Sequence, residues 1–190
     1  MGVPHPPEKA LLFFALLFAR EAVVDSILPI LGDRFGDIMH KSPMYAWSHS
    51  HYYDRELGTP VLRRFIFFGS LFDASTLPDI KLETNRLEDA FSENGKRTIN
   101  IDPGYVTSSK VVLASAKDYS HRLYLGKGIY GEVALYFQGS RFNPMPYTYQ
   151  DYKEQKGLEM FAMARKELKK FMGRVRQAPD CRGVLPHQNI

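Results

Sequence analysis

Nine consecutive apolar residues, Leu11 to Ala19, constrain this chain more than any other feature. A helix that crosses a bilayer needs roughly 20 apolar residues, so the run is too short to span one. Lys9 before it and Ala19 at its end invite a signal-peptide reading, but the charged, periodic segment that follows belongs to a folded domain. A strand covered on both faces accounts for the run.

The chain has 190 residues, 44% of them hydrophobic. That is enough to bury one sizeable core without a staple, and one domain over 1–177 is expected. The only cysteine, Cys181, falls in a Pro/Gly-containing tail, 178–190, so neither an internal disulfide nor a Cys-rich zinc site is available. A reducing compartment fits, and a cytoplasmic location without a membrane partner is the expectation. The net charge of +4 is uneven: residues 153–176 carry eight Lys/Arg against three Glu. One basic helix is a weak electrostatic footprint for nucleic acid.

The remaining elements follow from period and punctuation. Val24, Ile27, Leu28, Leu31 and Phe35 lie at helical spacing within 21–35, with Gly36 as a stop and Pro29 as an expected kink. Strands are expected within 38–47 and 61–68, a helix over 78–93 with Pro78 in its first turn, and a fourth strand at 97–101. This β-α-β-β-α-β order gives the fold class: α+β, with a ferredoxin-like core and an antiparallel sheet. A strand at 109–115 and a hairpin of 122–125 with 129–137, closed by Gly126-Lys127-Gly128, would widen the sheet. A helix over 157–173 would pack on it. Asp102-Pro103-Gly104-Tyr105 reads as a turn.

The stretch Asn100-Ile101-Asp102-Pro103-Gly104-Tyr105, followed by Lys110 to Ser115 and by Lys117-Asp118-Tyr119-Ser120-His121-Arg122, resembles the central motif of an uncharacterised bacterial family, domain of unknown function 4416. The likeness takes in Tyr52-Tyr53 with Glu56 and Gly58, Lys81 with Thr84-Asn85, Tyr124 to Gly126, Gly128 to Tyr130, and Thr148-Tyr149 with Asp151-Tyr152. It runs over residues 10–172. Proteins similar to this one are sometimes labelled GTP-binding, but the phosphate loop G-x-x-x-x-G-K-[ST] is missing here. Ser115-Ala116-Lys117 matches only a short guanine-side tripeptide.

Segment 96–127 concentrates Lys96, Arg97, Lys110, Lys117, His121, Arg122 and Lys127 against Asp102 and Asp118. Such a cluster suits a phosphate or carboxylate, since Arg binds bidentately, Lys acts as a point charge and His donates near neutral pH. Arg97 and Lys110 would approach each other if their strands paired. Asp102 and His121 are the candidates for acid-base work. Tyr52, Tyr53 and Glu56, which the family pattern emphasises, and Asn85 on the 78–93 helix join the candidate ligand set. His49 and His51 form a His-x-His pair that could serve a transition metal.

Together these residues lead to a binding protein or enzyme for a small anionic, phosphorylated or nucleotide-like ligand. Lys117, His121 and Arg122 would supply charge, and Asp102 would orient the ligand. An RNA- or protein-interaction module using the sheet face and the basic helix, or a homo-oligomeric scaffold, are the alternatives. No cofactor is indicated.

Overall fold

The structure is a computed structural model that describes residues 2–177. The expected tail, with Cys181, lies outside the described residues. Strand β1 (Ala10–Phe18) is the apolar run, and all nine of its residues are buried. It is the centre of the sheet, pairing antiparallel with β4 (Leu62–Phe72) on one side and β5 (Ile99–Val106) on the other. Beyond β4 lie β2 (Ile38–Lys41) and the two-residue β3 (Tyr45–Ala46), both antiparallel to it. Beyond β5 come β6 (Lys110–Ser115), β8 (Ile129–Gln138) and β7 (Leu123–Gly126), giving the order β2-β4-β1-β5-β6-β8-β7. A short β9 (Arg141–Pro144) pairs with β8.

Helices α1 (Glu21–Phe35) and α3 (Leu77–Ala90) are the crossovers, so the first β-α-β-β-α-β succession is the one expected from the sequence. In that succession, which sets aside the two-residue β3 and the single-turn helix before β4, β1 lies between β4 and β5, every neighbour antiparallel. Two short helices, α2 (Asp54–Leu57) and α4 (Gln150–Lys153), come from segments whose periodicity is too brief to read. The final α5 (Gln155–Gln177) is longer than its apolar stripe predicts.

Because strand side chains alternate, β1 feeds two cores. Leu12, Phe14, Leu16 and Phe18 pack with Val24, Ile27 and Leu31 of α1 and Leu87 of α3. Leu11, Phe13 and Ala15 face the other way, onto Phe161, Ala164 and Leu168 of α5. Phe65, Phe67 and Phe68 are fully buried. These three rings of β4 therefore belong to the core.

The fourth strand departs from its expected bounds. Asp102-Pro103-Gly104-Tyr105 is not a turn but the middle of β5. Long-range packing overrides the local turn preference: a Cβ on Gly104 would lie 2.4 Å from Cζ of Phe13 and 2.5 Å from the Val112 carbonyl oxygen. The glycine is there for close approach.

Candidate functional site

The site begins with a gap in the sheet. Pairing of β5 with β6 starts only at Gly104, opposite Leu113, so residues 99–103 have β1 on one side and no strand on the other. Pro103 has no N–H to offer a neighbour. By the two-residue alternation its nitrogen faces the same side as the Ile101 N–H, toward β6, and the ladder ends where that donor is missing.

Helix α3 satisfies the exposed strand edge. Ile101 donates its N–H to Glu88 Oε1 at 2.7 Å, and its carbonyl accepts from Lys81 Nζ at 3.0 Å. Lys81 and Glu88 are seven residues apart, two helical turns, and so share a face. Lys81, Asn85 and Glu88 share one polar stripe of the helix by their three- and four-residue spacing, and it is turned inward: Lys81 is 5% exposed and Glu88 4%.

A charged network grows from this edge. Lys81 Nζ also reaches Asp102 Oδ1 at 3.1 Å, and Asn100 donates to Asp102 Oδ2 at 2.7 Å. Arg97 makes a bidentate pair with Glu56, both contacts 2.7 Å, and donates from Nη1 to Glu88 at 2.7 Å and Asn100 at 2.9 Å. The hydrogen bonds from Arg97 hold the Glu56 carboxyl below its ordinary range. Burial works against the Asp102 carboxylate, yet Lys81 and Arg63 outweigh it and leave it below the usual value. Burial pushes Glu88 up, against the attraction of Lys81.

Tyr52, Tyr53 and Tyr149 complete the walls, with Ser115 at the end of β6 and Lys117 beyond it, around a pocket of about 360 Å³. The Lys117 ammonium lies 4.7 Å from the Tyr52 ring centroid and 3.5 Å from its hydroxyl. Three carboxylates (Glu56, Glu88, Asp102) meet two cations (Lys81, Arg97) in the network. Lys117 is the lining cation without an ion pair among the described residues. Asp89 also lines the pocket, so with Glu56 there are four carboxylates against three cations, one formal negative charge, with acceptors at the inner end and Lys117 at the rim.

Of the residues singled out in the sequence, Tyr52, Tyr53, Asn85, Arg97, Asp102 and Lys117 line this one pocket. Glu56 stands behind Arg97 and orients it. Arg122 braces the wall, holding Glu132 at 2.9 Å, Ser115 Oγ at 2.7 Å, the Lys117 carbonyl at 2.9 Å and the Tyr149 hydroxyl at 3.2 Å, and with Lys110 and His121 it lines a second pocket of about 400 Å³. His121 is bound to the same Glu132 oxygen at 2.8 Å and stacks on Tyr147. Lys110 does not approach Arg97. It opens β6 beside Val106, whereas Arg97 precedes the opposite end of β5. The cations therefore do not all converge.

His51 pairs with Asp54 at 2.7 Å with its side chain 97% exposed, while His49 packs on Trp47 and lies 3.4 Å from Glu154. No group of three or more metal-ligating side chains occurs among the described residues. Reading the sequence alone misses Asn100, Ser115 and Tyr149 as lining groups and Glu132 as the partner of Arg122. Alternation along β5 carried the signal for Asn100, since it shares Asp102's face.

Among the described residues, no helix is long and apolar enough to cross a membrane. No curated protein and no solved structure matches the chain. A family model does match, over residues 8–168, most of the sequence, and that match takes in every side chain that lines the pocket. The chain belongs to the family described as domain of unknown function (DUF4416).

Proposed function

We propose that the pocket between β5, β6 and α3 binds a small polar metabolite carrying one anionic group, of the nucleoside monophosphate or sugar phosphate kind. The observation that carries this reading is the polarity of the pocket along its depth. The network at the inner end is rich in acceptors suited to hydroxyl or amino groups, and Lys117 at the rim is uncommitted to any carboxylate among the described residues. Tyr52, Tyr53 and Tyr149 offer aromatic faces for a planar or sugar-ring moiety. About 360 Å³ is the size of a small-molecule site.

Charge sets the limit on the ligand. Arg97 and Lys81 are already answered by carboxylates, so a triphosphate would bring more negative charge than the site can neutralise. The test is a thermal-shift and calorimetric screen of nucleosides, nucleoside mono- and triphosphates and sugar phosphates. Monoanionic and dianionic members are expected to bind best, and Lys117→Ala to weaken them about 10- to 100-fold, the value of one charge-assisted contact. A wild-type protein that binds none of these compounds, or a Lys117→Ala variant that binds as tightly, overturns the reading.

A further inference from the structure

The floor of the pocket leads to a second, much smaller chamber of about 20 Å³. Tyr53, Asp102, Leu113 and Tyr149 line both spaces, and Trp47, Arg63 and Tyr152 line the inner one alone. The register explains its position. Arg63 of β4 lies opposite Leu17, which lies opposite Asn100 of β5, while the next row on that face runs Phe65, Ala15, Asp102. Ala15 is the small member of its row, so the sheet surface between Arg63 and Asp102 is low.

Three of the residues that line the inner chamber, Trp47, Arg63 and Tyr152, carry buried polar atoms that the protein itself does not satisfy. Arg63 Nε and Nη1, Trp47 Nε1 and the Tyr152 hydroxyl are buried and make no hydrogen bond among the described residues. The Arg63 side chain is 5% exposed; its Nε lies 2.8 Å from Asp151 Oδ2, an ion pair too poorly aligned to be a hydrogen bond. Buried N–H groups are almost always paired, and each that is not calls for an explanation. A cavity of this size holds one water-sized atom.

Charge and chemistry narrow the occupant. Arg63 is answered by Asp151, and Asp102 by Lys81 at 3.1 Å, so the chamber carries no net positive charge to hold an anion. An apolar group would leave the N–H donors unpaired. What remains is an uncharged oxygen able both to accept and to donate.

We propose that the inner chamber is the deepest subsite of the pocket and takes a single hydroxyl-type oxygen, water in the free protein and a ligand hydroxyl in the complex. The oxygen accepts from the Trp47 and Arg63 N–H groups and donates to Asp102. The ligand half rests on the function proposed above; the water half does not.

Magnetic relaxation dispersion counts long-lived internal waters, and Trp47→Phe and Tyr152→Phe each remove one polar lining atom while keeping a ring in place. The wild type is expected to hold one more such water than at least one of these variants, and folded variants with an unchanged count overturn the water half. Crystals of the free protein, soaked in sodium bromide, supply a second measurement. An oxygen in the chamber within hydrogen-bond distance of Arg63 supports the assignment, whereas an anomalous bromide peak there, or a collapsed chamber, sinks it. Crystals soaked in adenosine 5′-monophosphate address the ligand half: a ribose hydroxyl in the chamber supports it, and a nucleotide bound in the pocket with its hydroxyls outside overturns it. If the nucleotide and the other phosphates fail to bind at all, the functional reading fails, and the water count still decides the chamber.

Discussion

Arg122 looks in the sequence like one more cation for a ligand, but its four partners make it the brace of the pocket's outer wall. Its partner Glu132 has a side chain only 1% exposed, so removing the guanidinium strands a buried carboxylate. Arg122→Ala is expected to cost about 3–5 kcal/mol, the usual penalty for breaking a buried pair, measured by urea denaturation. Arg122→Lys should recover part of that, since a lysine keeps the charge and loses the planar fork. A loss below about 1 kcal/mol, the level of a surface pair, would show that His121 alone neutralises Glu132.

Glu56 gives a pH dependence with a definite sign. Its folded pKa is depressed, chiefly by hydrogen bonds from Arg97, so the stability it contributes is present above the unfolded value near 4.3 and is lost as pH falls through the folded one. Glu56→Gln should therefore flatten the fall in melting temperature between about pH 5 and pH 3. An unchanged slope in that window would remove Glu56 from the network.

At the scale of elements, the decisive segment is the one that local rules misread. Pro103 and Gly104 carry strong turn preferences, yet in β5 the proline ends the ladder to β6 and the glycine admits the Phe13 ring. Neither reason is visible from the segment itself, because both depend on β1 and β6, which meet β5 only after folding. The three long helices were legible, since a 3.6-residue stripe is a local signal and α1, α3 and α5 each fill one. Gly104→Ala tests the packing account. The added methyl has no room without moving backbone, and a cost of about 1–3 kcal/mol is expected from overpacking, measured by thermal unfolding. If β5 were instead a loose turn at this point, alanine would be neutral.

Over the whole molecule, the chain's cations were legible as residues but not as a group. Proximity along 96–127 says nothing about which face or which strand end a side chain occupies, so Arg97 and Lys117 share a pocket while Lys110 lies at the other end of its strand. The same geometry sets a hierarchy of stability. Strand β1 is buried throughout and paired on both sides, whereas β7 is an edge strand paired to β8 alone, its first three residues exposed. Local opening needs little buried surface to be released at β7 and nearly all of it at β1. In native-state hydrogen exchange, Leu16 and its neighbours are expected to exchange only through global unfolding, and Tyr124 through local fraying. Ile101 separates the two regimes, because its amide sits on the open side of β5 and is held by the Glu88 carboxylate rather than by a strand. Its protection should fall selectively in Glu88→Ala, below that of Leu16 in the same variant. Equal loss at both positions would mean that Glu88 supports the global fold and not the edge at which the pocket opens.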